Sequence, residues 1–391
     1  MIRTEHFLED AEAWLRTALA QLRAEHPDTA SHTPECRQTW NRMLCEAGLV
    51  ALTWPREYGG RELPTATLIA FHELCARLRA PQPINSIAHA ILAPTLLRFG
   101  TAEQKALFLP GIRDGSEIWC QGYSEPQTGS DLSSVRTRAR PEAAGWRVDG
   151  RKIWTTQAHL ATWCFALVRT DPASRAHRGL SFMLIDMRAE GVRVEPIRQM
   201  TGEADYNEVL FEAVAVPEGR ILGEPGEGWR IAMAAAEYER GIYFMPRVVQ
   251  LEDELDELEA ALARAPLAPA ERAVHARRVQ DLADACQVIR WRVDRVLRQV
   301  AAGDTPGIDG AMLKLMWSET RQQVWEQRVE LLGEAAVLGP QAGAPYAGAA
   351  SVQREFLWSR AETIVAGTSE IQRNIVGERL LGLPKDRGQH A

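Results

Sequence analysis

The chain has 391 residues, 46% of them hydrophobic and 25% charged, and 45 Lys and Arg face 52 Asp and Glu for a formal net charge of −7. At ~150 residues per domain this fits two or three globular domains and excludes a disordered chain, a collagen-like repeat and a short disulfide-stapled module. The acidic balance argues against nucleic acid and anionic membrane as partners, since both select a basic footprint.

Residues 1–117 read as helical. Leu8, Ala11, Trp14, Leu15, Leu19 and Leu22 recur at helical spacing, and TLIAFHELCARLR (67–79) predicts a second helix. His72 within it reads as a packed or boundary residue rather than a ligand. Trp54-Pro55 and Gly59-Gly60 mark turns between helices. Thr101-x-x-Gln104 ahead of Ala106, Leu107 and Phe108 predicts a capping box. The opening MIRTEHFLEDAEAWL places acids where a secretion signal needs an apolar run, and no stretch reaches the ~18 apolar residues of a membrane span. The nearest, Ile84 to Leu97, contains Asn85, His89 and Pro94. The final GQHA is not a peroxisomal address. These readings place the protein in the cytoplasm, off the membrane.

Between residues 118 and 225 the period changes. EIWCQGYS, GWRVDG, ATWCFALVRT, GLSFMLIDM, VRVEPI and NEVLFEAVAV are short apolar runs bounded by turn residues. They predict antiparallel strands in a sandwich or barrel. No G-x-G-x-x-G follows a strand, which argues against a dinucleotide-binding parallel sheet. From 226 to 391 the pattern is helical again, with a helix beginning near Trp229. Pro266 and Pro269 separate two solvent-facing helix ends, and long helices follow over 272–302 and 309–333. Ser369-x-x-Gln372 reads as a second capping box, closed off by Gly382 and Pro384. The six cysteines form no C-x-x-C pair and the nine histidines no H-E-x-x-H, so no metal site is expected and the thiols read as reduced and inert.

Three segments then carry a resemblance: WCQGYSEPQTGSD (119–131), GWRVDGRKIWTTQAHLATW (145–163) and AGTSEIQRNIVGERLLGLP (366–384). In this order, with Trp54-Pro-x-x-Tyr-Gly-Gly and Gly100-Thr-x-x-Gln upstream, they resemble the acyl-CoA dehydrogenase family of flavoproteins over nearly the whole chain. The resemblance implies an α+β fold with an N-terminal α-helical domain (1–117), a middle β-barrel domain (118–225) and a C-terminal four-helix bundle (226–391). It implies FAD as cofactor, an acyl-CoA or acyl-carrier-protein thioester as substrate and an electron-transferring flavoprotein as acceptor. A homotetramer or homodimer is expected. It assigns Gln121, Tyr123, Ser124, Gly129, Ser130, Trp154, Thr156, Gly367 and Thr368 to cofactor binding, with Ser130 also at the thioester. Trp154 resembles the indole packed against the flavin ring, and Thr156 the hydroxyl near its N5. As a core tryptophan, Trp154 would be explained equally well on its own. Glu125 and Asp131 read as turn-stabilising acids rather than an acid/base pair.

The sequence departs from the family at the base. Many members carry a glutamate directly before the C-terminal Gly-Thr; here the residue is Ala366. Isovaleryl-CoA and long-chain acyl-CoA dehydrogenases instead place it on an earlier helix before an arginine, and Glu239-Arg240 matches that pair. Glu237 lies ~200° around the same helix and cannot face the same way. The resemblance makes Glu239 the base that removes the α proton, with Arg240 and the Ala366 main-chain N–H at the substrate. Residues 262–285 lack the Arg-x-x-Phe-Gly segment with which many members hold a neighbour's FAD. That departure admits a heterotetramer in which this chain is a non-catalytic or half-site subunit. A flavin monooxygenase or oxidase on the same fold is a further alternative.

Overall fold

The computed structural model describes residues 4–26, 33–174, 176–239, 244–338 and 349–385. It forms two compact units, Met1–Glu239 and Arg240–Ala391.

The first unit opens with α1 (Thr4–Glu25), α2 (Pro34–Glu46), α3 (Thr65–Arg77), α4 (Ala93–Phe99) and α5 (Ala102–Asp114). The apolar stripe read from α1 is buried: Leu15, Leu19 and Leu22 pack with Cys36, Trp40 and Phe71. Between α2 and α3 the chain makes one 3-10 turn, Arg56–Tyr58, ended by Gly59 at φ 79°. A Cβ on Gly60 would sit 2.0 Å from the Trp54 carbonyl oxygen, so only glycine fits there. Ile84 to Leu97 is a π-turn (Ala88–Leu92) running into α4. At the start of α5 the capping box forms as expected, with Thr101 and Gln104 bonded reciprocally. The Gln104 amide continues outward to the carbonyls of Gly219 and Ile221, each at 2.8 Å.

Among the described residues eight strands follow: β1 (Trp119–Gly122), β2 (Arg138–Glu142), β3 (Gly145–Thr156), β4 (Trp163–Arg169), β5 (Leu180–Asp186), β6 (Val192–Ile197), β7 (Tyr206–Pro217) and β8 (Ile221–Leu222). They form one sheet ordered β6-β7-β3-β2-β4-β5-β8, with β1 beside β4. The antiparallel expectation needs correcting, because β1 runs parallel to β4, from Trp119 opposite Trp163 to Gly122 opposite Ala166. The strand runs read from sequence are β1 and β3 to β7. The sequence reading missed β2 and β8. RARPE is charged and carries a proline, and two residues show no period. Asn85, fully buried, spans α5 and β1. Its amide donates to the carbonyls of Ile112 and Glu117, and its oxygen accepts from Trp119 N–H. The unit closes with α6 (Gly228–Glu239), which packs on β5, β4 and α4.

The second unit is helical: α7 (Phe244–Arg264), α8 (Pro269–Ala301), α9 (Gly307–Leu332), α10 (Glu334–Leu338), α11 (Ala349–Glu362) and α12 (Ser369–Ile375). Helices α7, α8 and α11 all pack on α9, which makes the four-helix bundle. The solvent-facing reading of the helix end before Pro266 is corrected. Val248, Leu251, Leu255, Leu258 and Leu262 form a buried stripe along α7. Among the described residues no helix is long and apolar enough to cross a membrane.

Candidate functional site

In the first unit the expected residues lie on β1, the loop after it, and β3. The four residues Lys152 to Thr155 face only three on β7, Val209 to Asn207, so β3 carries a bulge. Trp154 sits in that bulge with a left-handed backbone, φ 58°. For a bulky residue such a conformation is strained and marks a place to look for function. The bulge turns the indole out: it is 56% exposed, and it meets the Tyr206 ring edge-on at 6.1 Å. The core-tryptophan alternative is thereby removed. Thr156, two residues on, pairs with Tyr206 and is half-buried.

The loop after β1 is tied to this bulge from beneath. Ile153 N–H donates to the Ser124 carbonyl at 2.9 Å. Lys152 is fully buried, and its ammonium donates to the Tyr123 carbonyl (3.1 Å), the Glu125 carboxylate (2.9 Å) and the Leu167 carbonyl (2.7 Å). The Glu125 carboxylate also accepts from the N–H groups of Arg136 (2.6 Å) and Thr137 (2.8 Å) and from the Gln127 amide (3.0 Å). Burial would raise this carboxyl, but Lys152 and those donors outweigh it and hold it below its ordinary range. Burial also pulls the Lys152 pKa down, against Glu125. Glu125 is therefore structural, as expected. Asp131 is too: it accepts from Ser133 Oγ (2.7 Å) and its carbonyl from Ser134 Oγ (2.9 Å).

Tyr123 turns its ring inward, edge-on to Phe165 (6.0 Å) and Phe182 (6.3 Å), so what it presents at the loop is its main chain. Gln121 and Ser124 are half-buried, and Gly129 and Ser130 are exposed. A Cβ on Gly129 would meet nothing within 4 Å, so the space before this loop is open. Beside it lies a cleft of about 380 Å³ whose walls include Asp131, Ser133, Arg136, Arg138 and Arg169.

In the second unit Ala366 and Gly367 form a tight turn, with φ 55° and 93°. The capping box expected from Ser369 is corrected, since the cap is one residue earlier. Thr368 accepts from Ile371 N–H at 3.2 Å, and Ser369 is already helical. Gln372, fully buried, reaches back past the cap to the carbonyls of Ala366 (3.1 Å) and Gly367 (3.3 Å). Leu383 N–H returns to the Gly377 carbonyl and Gly382 has φ 69°, so the segment closes at the glycine expected to end it.

Glu239 is the last residue of α6, and its side chain lies outside the described residues, as does all of Arg240. Glu237 on the same helix is exposed.

Sequence reasoning missed two buried ionic groups. One is Lys152, for which a lysine inside an otherwise strand-like run was the available signal. The other is in the bundle, where Arg321 on α9 meets three carboxylates. Its guanidinium donates to Glu254 (2.6 and 2.8 Å), Glu355 (2.7 Å) and Glu362. Glu362 is pushed up to about 7, chiefly by burial. The cysteines are free, and among the described residues no group of three His, Cys, Asp or Glu could hold a metal.

Comparison with known proteins gives this geometry its family. Models of the acyl-CoA dehydrogenase N-terminal, middle and C-terminal domains match residues 3–116, 120–214 and 226–381. The chain is 39% identical to the acyl-CoA dehydrogenase IpdE1 of Mycobacterium tuberculosis, over 98% of each chain. Among solved structures it is similar to the Tcur3481–Tcur3483 steroid ACAD, with TM-score 0.83, 25% identity and 97% and 98% of the two chains covered. The ChsE4–ChsE5 complex from M. tuberculosis gives TM-score 0.80 and 27% identity, over 96% of this chain and 97% of the other. A helical N-terminal region, a strained tryptophan strand and a Gly-Thr turn on a bundle, matched end to end by all three domains, leave one conclusion: this chain is a member of the acyl-CoA dehydrogenase family.

Proposed function

We propose that the chain carries out FAD-dependent α,β-dehydrogenation of a bulky acyl-CoA thioester, with Glu239 as the base for the α proton. The observation that carries this reading is the β3 bulge, which holds an aromatic face open beside a main-chain loop at a cost in backbone strain. The residues fit an isoalloxazine. Trp154 offers a flat apolar face, the Tyr123–Ser124 main chain and Thr156 offer polar groups, and Gly129 leaves open space. FAD, the flavin expected for the family, supplies when bound the acceptor for the β hydrogen as hydride. Gln121, Ser130, Gly367 and Thr368 complete the proposed cofactor set.

The chain's own residues do the rest. Ala366 cannot take a proton, so the base must come from elsewhere, and Glu239 takes the α proton onto its carboxylate. The Ala366 N–H, in a turn that Gln372 pins through the carbonyls of Ala366 and Gly367, polarises the thioester carbonyl as the enolate develops. Ser130 and Arg240 orient the thioester. The arginines of the cleft beside Ser130 suit the several phosphates of CoA better than the single phosphodiester of a carrier-bound phosphopantetheine. The bulky acyl group follows the base position, and the similar Tcur3481–Tcur3483 structure is a steroid ACAD. An electron-transferring flavoprotein is the proposed acceptor.

The test is Glu239→Gln. Turnover should fall by about 10²–10⁴-fold while FAD per chain stays at the wild-type level. Near-normal turnover sinks the assignment of the base.

A second reading has its own support. Two similar structures, Tcur3481–Tcur3483 and the ChsE4–ChsE5 complex, each pair two chains, and residues 262–285 lack the family's adenine-end segment. On that reading this chain works only in a heteromer. Native mass and flavin count of the chain purified alone separate the two. One FAD per chain in a homo-oligomer favours the first.

A further inference from the structure

We propose that Lys152 and Glu125 are a positioning pair for the flavin, a buried ionic strut that sets the distance between the Tyr123–Glu125 main chain and the Trp154 bulge. The inference rests on the flavin reading above and adds residues that touch neither cofactor nor substrate.

Three observations carry it. First, the strut connects the two elements assigned to the cofactor. All three ammonium protons of Lys152 are used, and two go to the loop: the Tyr123 carbonyl and the Glu125 carboxylate. The third goes to Leu167 on β4, so the anchor belongs to the sheet core and not to the loop itself. Second, the strut stands directly before the bulge. The surplus residue of β3 falls between Lys152 and Thr155, and Ile153 N–H adds a further bond to Ser124. Fixing Lys152 at one depth fixes where the surplus must emerge. Third, the surroundings are fitted to it. The Glu125 carboxylate at the far end of the strut also accepts from the N–H groups of Arg136 and Thr137 and from the Gln127 amide, so that end is held from three further positions.

Stability alone does not call for such a pair. Replacing a buried ion pair by apolar groups of like volume is often neutral or stabilising. What the pair supplies is a fixed geometry, with every donor and acceptor assigned.

The experiment compares wild type, Lys152→Met and the double variant Lys152→Met/Glu125→Gln, each isolated as holoprotein, together with any chain that co-purifies. The single variant leaves a buried carboxylate short of its cation and should lose stability. The double variant removes both charges but leaves the Tyr123 and Leu167 carbonyls without the lysine donor, so it should recover part of the stability that the single variant loses. FAD dissociation constants and the visible spectrum of bound flavin are then read on folded protein. The expected result is that the double variant regains part of that stability but binds FAD at least about tenfold more weakly, with a displaced flavin band. FAD affinity and spectrum equal to wild type in the folded double variant overturn the inference and leave the flavin reading standing. Wild type that takes up no FAD, with or without a co-purifying chain, overturns both.

Discussion

Trp154 shows how a residue can be costly to the fold and still be kept. Its φ of 58° is unfavourable for any residue with a Cβ, and its indole gains little burial in return. Trp154→Gly should therefore leave the flavin-free protein as stable as before, or up to ~1 kcal/mol more so. FAD affinity should drop by about tenfold or more. Thermal melting without flavin and FAD titration check the two halves separately. A loss of stability together with unchanged affinity would return the tryptophan to a structural role. Gln372 is the converse case, buried and bonded only at its amide end, so Gln372→Ala should cost about 1–3 kcal/mol through two orphaned carbonyls. With the turn that carries the Ala366 N–H no longer pinned, kcat should fall more than KM rises, which steady-state kinetics on a thioester substrate would show.

At the scale of elements, local chemistry was legible and long-range chemistry was not. The Thr101–Gln104 box could be read because both partners lie within one turn. Thr101→Ala should cost ~1 kcal/mol in denaturant unfolding. The same reasoning misplaced the cap of α12, because Thr368 and Ser369 are adjacent and either hydroxyl can cap. Only the turn at Ala366 and Gly367 decides between them. The Arg321 cluster was invisible, since its partners on α7 and α11 lie 67, 34 and 41 residues away. Arg321→Met should destabilise the second unit by about 3–5 kcal/mol, because Glu254 and Glu362 would remain buried without their cation. Calorimetry at neutral pH checks it.

At the scale of the whole molecule, buried groups in the two units carry opposite pH dependence. His72 and His89 in the first unit are held at about 4 by burial, against an ordinary 6.5. Unfolding lets them take up protons, so the first unit loses stability as pH falls from about 6.5 towards 4. Glu362 in the second unit is pushed up to about 7 from an ordinary 4.5. Its folded form holds the proton more tightly, so its contribution is complete below about 4.5 and is lost as pH rises through 7. Glu362→Gln cannot ionise. Its melting temperature relative to wild type should climb between about pH 5 and pH 8, and a flat difference would remove Glu362 as the titrating group.

By itself the sequence determined the family and the order of helical, stranded and helical regions. It also marked the loop, the tryptophan strand and the Gly-Thr turn as the segments that matter. These are properties of neighbours along the chain: period, turn chemistry and short motifs. Tertiary structure alone decided that β1 runs parallel to β4, that Tyr123 turns inward while Trp154 turns out, and that a charged pair lies beneath the loop. Each depends on which groups meet from distant positions. Burial can make a lysine a strut and a glutamate its counterweight, and no local pattern records which polar groups burial will bring together.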